Sequence, residues 1–170
     1  MKKLLALALV LMLSMTSVVA LADTMGTYLY TTVSTAADAG EKDGSYEINT
    51  NVCTVVLDDN GVIKMVNFDV AQTKVGFTAA GAATTAAGTV VPSKVEKADA
   101  YNMKVASPIG KDWYEQADAL EAWCVGKTVE QVLAAPLNNG YPTDADLVTG
   151  CTMGINDLLV ALQKAAELAK

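Results

Sequence analysis

The chain contains neither histidine nor arginine. Without histidine there is no Ser-His-Asp or Cys-His catalysis, no general base that titrates near neutrality unaided, and no histidine-containing zinc site. Without arginine the planar fork that grips phosphate and carboxylate is missing. A phosphorylated ligand must then be held by lysine, backbone N–H groups and helix N-termini. Cysteine is scarce, with Cys53, Cys124 and Cys151 alone. Their odd number allows one disulfide with a spare thiol, or none. Their spacing matches no metal pattern, and Cys53 and Cys124 read as small buried hydrophobes. Positive charge is also short: 12 lysines stand against 19 acidic residues, for a net charge of −7. Such a chain is a poor partner for nucleic acid or anionic membranes.

The first 22 residues have the layout of a cleavable secretory signal. Lys2 and Lys3 form a basic start, residues 4–13 are unbroken apolar, and the segment ends Ala20-Leu21-Ala22. The apolar run is about half the roughly 20 residues a spanning helix needs, and no later stretch is long enough to span. A lipid anchor needs a cysteine just after the small residues, and the first is Cys53. Export is therefore expected, with Asp23 as the first mature residue and residues 23–170 as one domain by size. Cleavage removes two lysines and takes the net charge to −9.

Along the mature chain, Tyr28 and Tyr30 alternate with Leu29 and Thr31, a first short strand. Residues 36–45 read as a loop. Residues 46–57 and 62–70 form a β-hairpin around Asp58-Asp59-Asn60-Gly61. On its second strand, alternation puts Val62, Lys64, Val66, Phe68 and Val70 on one face and Ile63, Met65, Asn67 and Asp69 on the other. Residues 74–77 and 89–91 suggest a second hairpin across an Ala/Gly/Thr stretch. Residues 112–125 are helical, with Trp113, Ala117, Leu120 and Cys124 in one stripe and Gly126 just past the end. Thr128 and Gln131 fit a capping box that opens a short helix, which stops before Pro136. Residues 137–143 read as a loop. A last helix over 155–168 carries Ile155, Leu158, Leu159, Leu162, Ala165 and Ala166 on one face. The expected fold is α+β: a twisted, largely antiparallel sheet with helices packed on one face.

The segment before the last helix holds the candidate chemistry: Asp146-Leu147-Val148-Thr149-Gly150-Cys151-Thr152-Met153-Gly154. It is a small-residue turn feeding a helix N-terminus. Free N–H groups there can hold an anion, and Thr149 and Thr152 add hydroxyls; alternatively, a threonine merely starts the helix. Cys151 lies near that terminus, where a thiol pKa tends to fall.

The segment resembles the signature of the FMN-binding domain of exported electron-transfer flavoproteins, including subunits of sodium-pumping NADH:quinone reductases and Rnf-type complexes. That signature runs Asp, two variable residues, Ser or Thr, Gly, Ala, then Thr or Ser, followed by a helix. Here Asp146, Thr149, Gly150, Cys151 and Thr152 occupy those places, and Cys151 replaces the alanine. The hairpin around Asp59-Asn60-Gly61 and the Gly126-Lys127-Thr128 step are similar to features of the family in the same order. Residues 71–75, 101–104 and 107–114 resemble a group of exported proteins of anaerobic Gram-positive bacteria. The resemblance implies FMN as cofactor and an FMN-binding-domain-like fold. It implies Thr152 as the residue esterified to the FMN phosphate by a separate flavin transferase, and a membrane or extracellular redox partner. Asp146, Thr149, Gly150, Cys151 and Met153 complete the implied site. Met65, Met103, Met153, Trp113 and Tyr114 are candidates to contact the ring, and each is equally an ordinary packing residue.

Two other readings stand beside the electron carrier. One is an exported binding module of the same fold that has lost its flavin, which the Cys151 departure also fits. The other is a carboxylate hydrolase, for which no acidic pair stands out.

Overall fold

The structure is a computed structural model that describes residues 23–169; the expected signal segment lies outside them. Three long strands, β1 (Thr24–Ala37), β2 (Gly44–Leu57) and β3 (Ile63–Phe77), form an antiparallel sheet in the order β1-β2-β3. Asp58 builds the β2–β3 turn. Its Oδ1 accepts the N–H groups of Asn60 and Val62, each at 2.9 Å, and Gly61 takes the positive φ of +75° that closes the turn.

The register then departs from simple alternation. Val56 pairs with Met65 but Leu57 pairs with Ile63, so Lys64 is the extra residue of a β-bulge. The bulge resets the side-chain phase. Ile63, expected to point away from the apolar face, is 1% exposed and joins Val66, Phe68 and Val70 in the core. Lys64 swings out to an exposed ion pair with Asp23 at 2.8 Å.

The strands are longer than their apolar patterns suggest. The first is 14 residues rather than a short segment. Residues 74–77 are the end of β3, because β2 runs beside them until Gly44 meets Phe77. Residues 89–91 lie outside any strand, so the second hairpin does not form. The Ala/Gly/Thr stretch instead folds back on β3 through a bridge between Phe77 and Ala83 and through hydrogen bonds of Thr84 and Thr85 with Gly76 and Lys74.

Four α-helices follow among the described residues: α1 (Lys94–Lys97), α2 (Trp113–Cys124), α3 (Val129–Leu133) and α4 (Asn156–Leu168). Between α3 and α4, a two-residue hairpin of β4 (Leu137–Asn138) and β5 (Tyr141–Pro142) stands where a loop is expected. The α3 capping box forms as its sequence indicates: Thr128 Oγ1 accepts the Gln131 N–H at 3.3 Å, and Gln131 Oε1 accepts the Thr128 N–H at 2.9 Å.

Helix α4 lies across β1 and β2, and α2 lies along β3. The apolar stripes read from the sequence supply the core, to which Trp113, Ala117, Leu120 and Cys124 from α2 and Leu158, Leu159, Leu162 and Ala165 from α4 all contribute. Close approach of α4 requires Gly26, since a Cβ there would sit 1.9 Å from the Ala165 carbonyl oxygen. The outer edge of β3 is sealed by side chains. Glu121 on α2 accepts the Phe68 N–H at 2.7 Å and the Asn67 amide at 3.3 Å.

Replacing Glu121 by alanine strands the Phe68 N–H. Glu121→Ala is expected to cost about 1–3 kcal/mol in urea unfolding, the desolvation cost of an unpaired buried donor. Glu121→Gln keeps an acceptor and is expected to cost less than half of that.

Candidate functional site

The face of the sheet that carries the core changes character along its length. Near the β2–β3 turn it presents Cys53, Val55, Val66 and Phe68, all buried. Beyond Asn51, which sits between Tyr30 and Val70, it presents Asn49, Gln72 and Glu47. There the apolar core stops, and side chains from the loops replace it as cover. The polar residues are already tied together: Gln72 Nε2 donates to Glu47 at 3.1 Å, and Tyr101 donates to Gln72 Oε1 at 3.3 Å.

Two cavities open over this region. One, of about 250 Å³, is bordered by Asn49, Asn51, Val70, Asn139, Asp157 and Leu158. The other, of about 320 Å³, is bordered by Met103, Ser107, Pro108, Gln116, Thr152 and Met153. Lys94, Trp113, Tyr141 and Gly154 border both, so the cavities adjoin along these four residues. Small-ligand sites typically occupy roughly 300–1,000 Å³.

Gln116 organises the second cavity. It is 1% exposed. Its Oε1 accepts the N–H groups of Thr152 at 2.9 Å and Met153 at 3.1 Å, and the Thr152 hydroxyl at 3.3 Å. Its Nε2 donates to Ser107 Oγ and to the Lys111 carbonyl, each at 3.0 Å. One buried amide thus joins α2 to both loops that wall the cavity. Asp112, at the start of α2, reinforces the same wall by accepting the Lys104 N–H at 3.1 Å. Its other carboxyl oxygen lies 3.2 Å from the Lys104 ammonium.

Lys94 is the cation of the site. Its position follows from the Ser93 capping box that opens α1: Ser93 Oγ accepts the Glu96 N–H at 3.1 Å, and Glu96 accepts the Ser93 N–H at 2.8 Å. The Lys94 ammonium lies 5.0 Å from the Tyr101 ring centre and 5.3 Å from that of Trp113, within cation–π range. The ion pairs among the described residues are Lys64–Asp23, Lys104–Asp112 and Lys164–Glu167, so no carboxylate neutralises Lys94 at contact. Burial lowers its pKa to about 8, and Lys97 adds to the effect against the pull of Glu47 and Asp69.

The sequence-derived residues divide between the cavity and its support. Thr152, half-buried, and Met153 border the second cavity, as do Met103 and Trp113. Asp146, Thr149, Gly150 and Cys151 shape the turn behind them. Thr149 Oγ1 donates to the Asp146 carbonyl at 2.7 Å. Gly150 abuts Ala119 of α2, where a Cβ would come within 2.7 Å. Cys151 is wholly buried. Its thiol pKa is pushed up to about 11 by burial, the reverse of the fall expected beside a helix N-terminus. Cys53 and Cys124 are likewise free and buried, and burial raises both thiols. Met65 is exposed and borders neither cavity, and Tyr114 turns away to donate to Asp99 at 3.1 Å. Among the described residues no acidic, cysteine or histidine cluster could hold a metal ion, and no helix is long and apolar enough to cross a membrane.

Asn49, Asn51, Lys94, Ser107, Gln116 and Tyr141 escaped the sequence reading. Only Lys94 had a local signal, the Ser-x-x-Glu pattern after Pro92 that starts a helix. The others come together from positions far apart in the chain.

The α+β fold and this two-part cavity define the chain as a protein with a candidate small-ligand site between sheet and loops. No protein-family model matches it, and no solved structure does so significantly. Among curated proteins it is similar to a chlorophenol reductase of Desulfitobacterium hafniense. The two are 32% identical over 112 aligned residues, covering 46% of this chain and 34% of that protein. The chain therefore spans about a third of the length of that relative.

Gln116→Ala removes the shared acceptor of three hydrogen bonds and is expected to destabilise the fold by about 2 kcal/mol or more. Amide exchange at Thr152 and Met153 should accelerate beyond the global change. Lys94 has the opposite sign. Its folded pKa, near 8, lies below the ordinary 10.5. The unfolded chain therefore binds more protons between those values, and stability rises with pH across that window. Lys94→Met is expected to flatten this rise and to unfold no more easily than the parent at pH 7. Chemical unfolding at pH 7 and pH 9.5 checks both.

Proposed function

We propose that the chain is an exported FMN-binding electron carrier whose flavin is joined through its phosphate to Thr152. The observation that carries this reading is Thr152: it stands half-buried on the wall of a cavity of about 320 Å³ that is also bordered by Lys94, which has no contact carboxylate among the described residues. Such a carrier would have an FMN-binding-domain-like fold.

The donor set suits a phosphate ester in a chain without arginine. Thr152 provides the ester oxygen, and its backbone is held by Gln116 so that the hydroxyl keeps its place on the wall. Lys94 and the Ser107 hydroxyl border the same cavity and offer a cation and a donor to phosphate oxygens. Gln116 holds Ser107 in place at 3.0 Å. Trp113 and Tyr141 supply aromatic walls where the two cavities adjoin. Cys151, buried behind the turn, is accommodated by the core and stays clear of the cavity. The flavin supplies one- and two-electron chemistry when bound, which asks of the chain no histidine, no metal and no catalytic base. A covalent link also prevents loss of the cofactor outside the cell.

Export belongs to the same reading. Residues 1–22 would direct the chain out of the cytoplasm, where a flavin transferase completes it and an extracytoplasmic or membrane redox partner exchanges electrons with it. The partial similarity to a protein named as a reductase adds no residue to this site.

Intact-mass measurement of the protein from its native host tests the proposal. The expected species begins at Asp23 and carries one esterified FMN, and Thr152→Ala loses that increment while keeping the fold. A bare chain formed in the presence of a competent flavin transferase would sink the covalent reading and favour a flavin-free module of the same fold.

A further inference from the structure

Thr152 and Lys94 account for one end of a ligand in the second cavity. The first cavity has its own unanswered chemistry. Asn49 Oδ1 is shut off from solvent and has no hydrogen-bond partner. Asn51 is 4% exposed and donates its amide to the Tyr30 carbonyl at 3.2 Å, which leaves its Oδ1 for another donor. Both asparagines border the 250 Å³ cavity, and both project from β2 on the face that carries the core. A buried acceptor without a donor is costly, and native structures rarely keep one without a use. Asn49 and Asn51, two residues apart on the same face of β2 and both beside the cavity, place two amide oxygens there that the chain itself leaves without a donor.

The rest of the cavity specifies what brings the donor. Trp113 and Tyr141 give it aromatic sides, which suits a flat ring system. Lys94 gives it a cation, which suits carbonyl oxygens or a developing negative charge on the ring. The titratable groups that face Lys94 are Glu47, Asp69 and Lys97. Asp157, on the same cavity, is engaged by the Thr32 hydroxyl at 3.3 Å. Gly154, where the two cavities adjoin, has no side chain to obstruct passage between them, the nearest atoms to an added Cβ being 3.9 Å away.

We propose that the Asn49–Asn51 cavity is the ring subsite: it takes the pyrimidine-dione edge of a flat heteroaromatic ligand, with the ring N–H donating to the asparagine oxygens and a flanking carbonyl facing Lys94. This rests on the flavin reading for the identity of the ring, but its residues are separate from the Thr152 attachment. It makes Asn49 and Asn51 binding residues for the ring, and it gives Lys94 a place on both halves of the ligand.

Riboflavin separates the two ends, because it has the ring and lacks the phosphate. The full chain, produced without a flavin transferase, is titrated with riboflavin and followed by quenching of flavin fluorescence. Saturable binding is expected, weakened about tenfold or more by Asn51→Leu, the effect of losing one hydrogen bond to a buried group. Asn49→Ala, a milder change at the sheet, is expected to weaken it as well, and thermal unfolding identifies any variant that fails to fold. Met65→Ala, at an exposed position that borders neither cavity, should leave riboflavin binding unchanged. Folded Asn49→Ala protein that binds riboflavin as tightly as the parent would overturn the ring subsite. So would a parent that ignores riboflavin yet becomes flavinylated at Thr152, which leaves the attachment standing. Asparagine-dependent riboflavin binding with no flavinylation supports the subsite and rejects the covalent reading. Neither binding nor flavinylation rejects both.

Discussion

The buried amide of Gln116 is the constraint on which the site depends. It stands on a helix whose neighbouring inward positions are apolar, and its two ends are used fully: three hydrogen bonds accepted at Oε1 and two donated from Nε2. A primary amide is the side chain that both accepts and donates in opposite directions from one buried point. A leucine there would fill similar space but leave the N–H groups of Thr152 and Met153 unpaired away from water. The helix therefore fixes two loops that are remote in sequence, and the cavity between them exists because that amide holds both.

A second constraint is the length of the strands relative to the core. Helices α2 and α4 cover the sheet where Cys53, Val55 and Phe68 lie, but the strands run on past that cover. The inner face then turns polar, through Asn51, Asn49, Gln72 and Glu47. This region holds a cation without a contact carboxylate and an amide oxygen without a donor. Both features oppose stability in the unliganded chain, and both become favourable once a ligand with the matching groups is present. The site is thus placed where hydrophobic burial ends, on a scaffold made rigid by the burial beside it.

Much of the scaffold was legible in the sequence because it follows from periodicity and local chemistry. Trp113, Ala117, Leu120 and Cys124 recur at helical spacing, and they face the core. Thr128 and Gln131 cap a helix because the capping box is local to four residues. Asp58 and Gly61 close the hairpin for the same reason. Val66, Phe68 and Val70 face the core as their alternation indicates, but at the start of β3 the bulge at Lys64 brings Ile63 to that face and turns Lys64 out, and a bulge is set by the pairing of two strands. The absent second hairpin has a similar cause: residues 89–91 have β-like composition but no neighbouring strand to pair with. Cys151 shows the limit of arguing from chain position, since burial in the core outweighs proximity to a helix end.

The sequence by itself determined the central hairpin, the three longer helices, the turn and cap residues, and the exclusion of histidine and arginine chemistry. It also singled out Thr152 through the pattern from Asp146 to Gly154. Each of these is written in residues close together along the chain or in composition. Only the tertiary structure decided that Lys94 and Thr152 border one cavity, that Gln116 ties its walls together, and that Asn49 and Asn51 border the cavity next to it. Those relations join residues separated by dozens of positions, and they arise because long strands carry polar side chains beyond the reach of the covering helices. The same packing buries Cys151 and raises its thiol pKa, giving structural work to a residue that the linear motif placed within the chemistry.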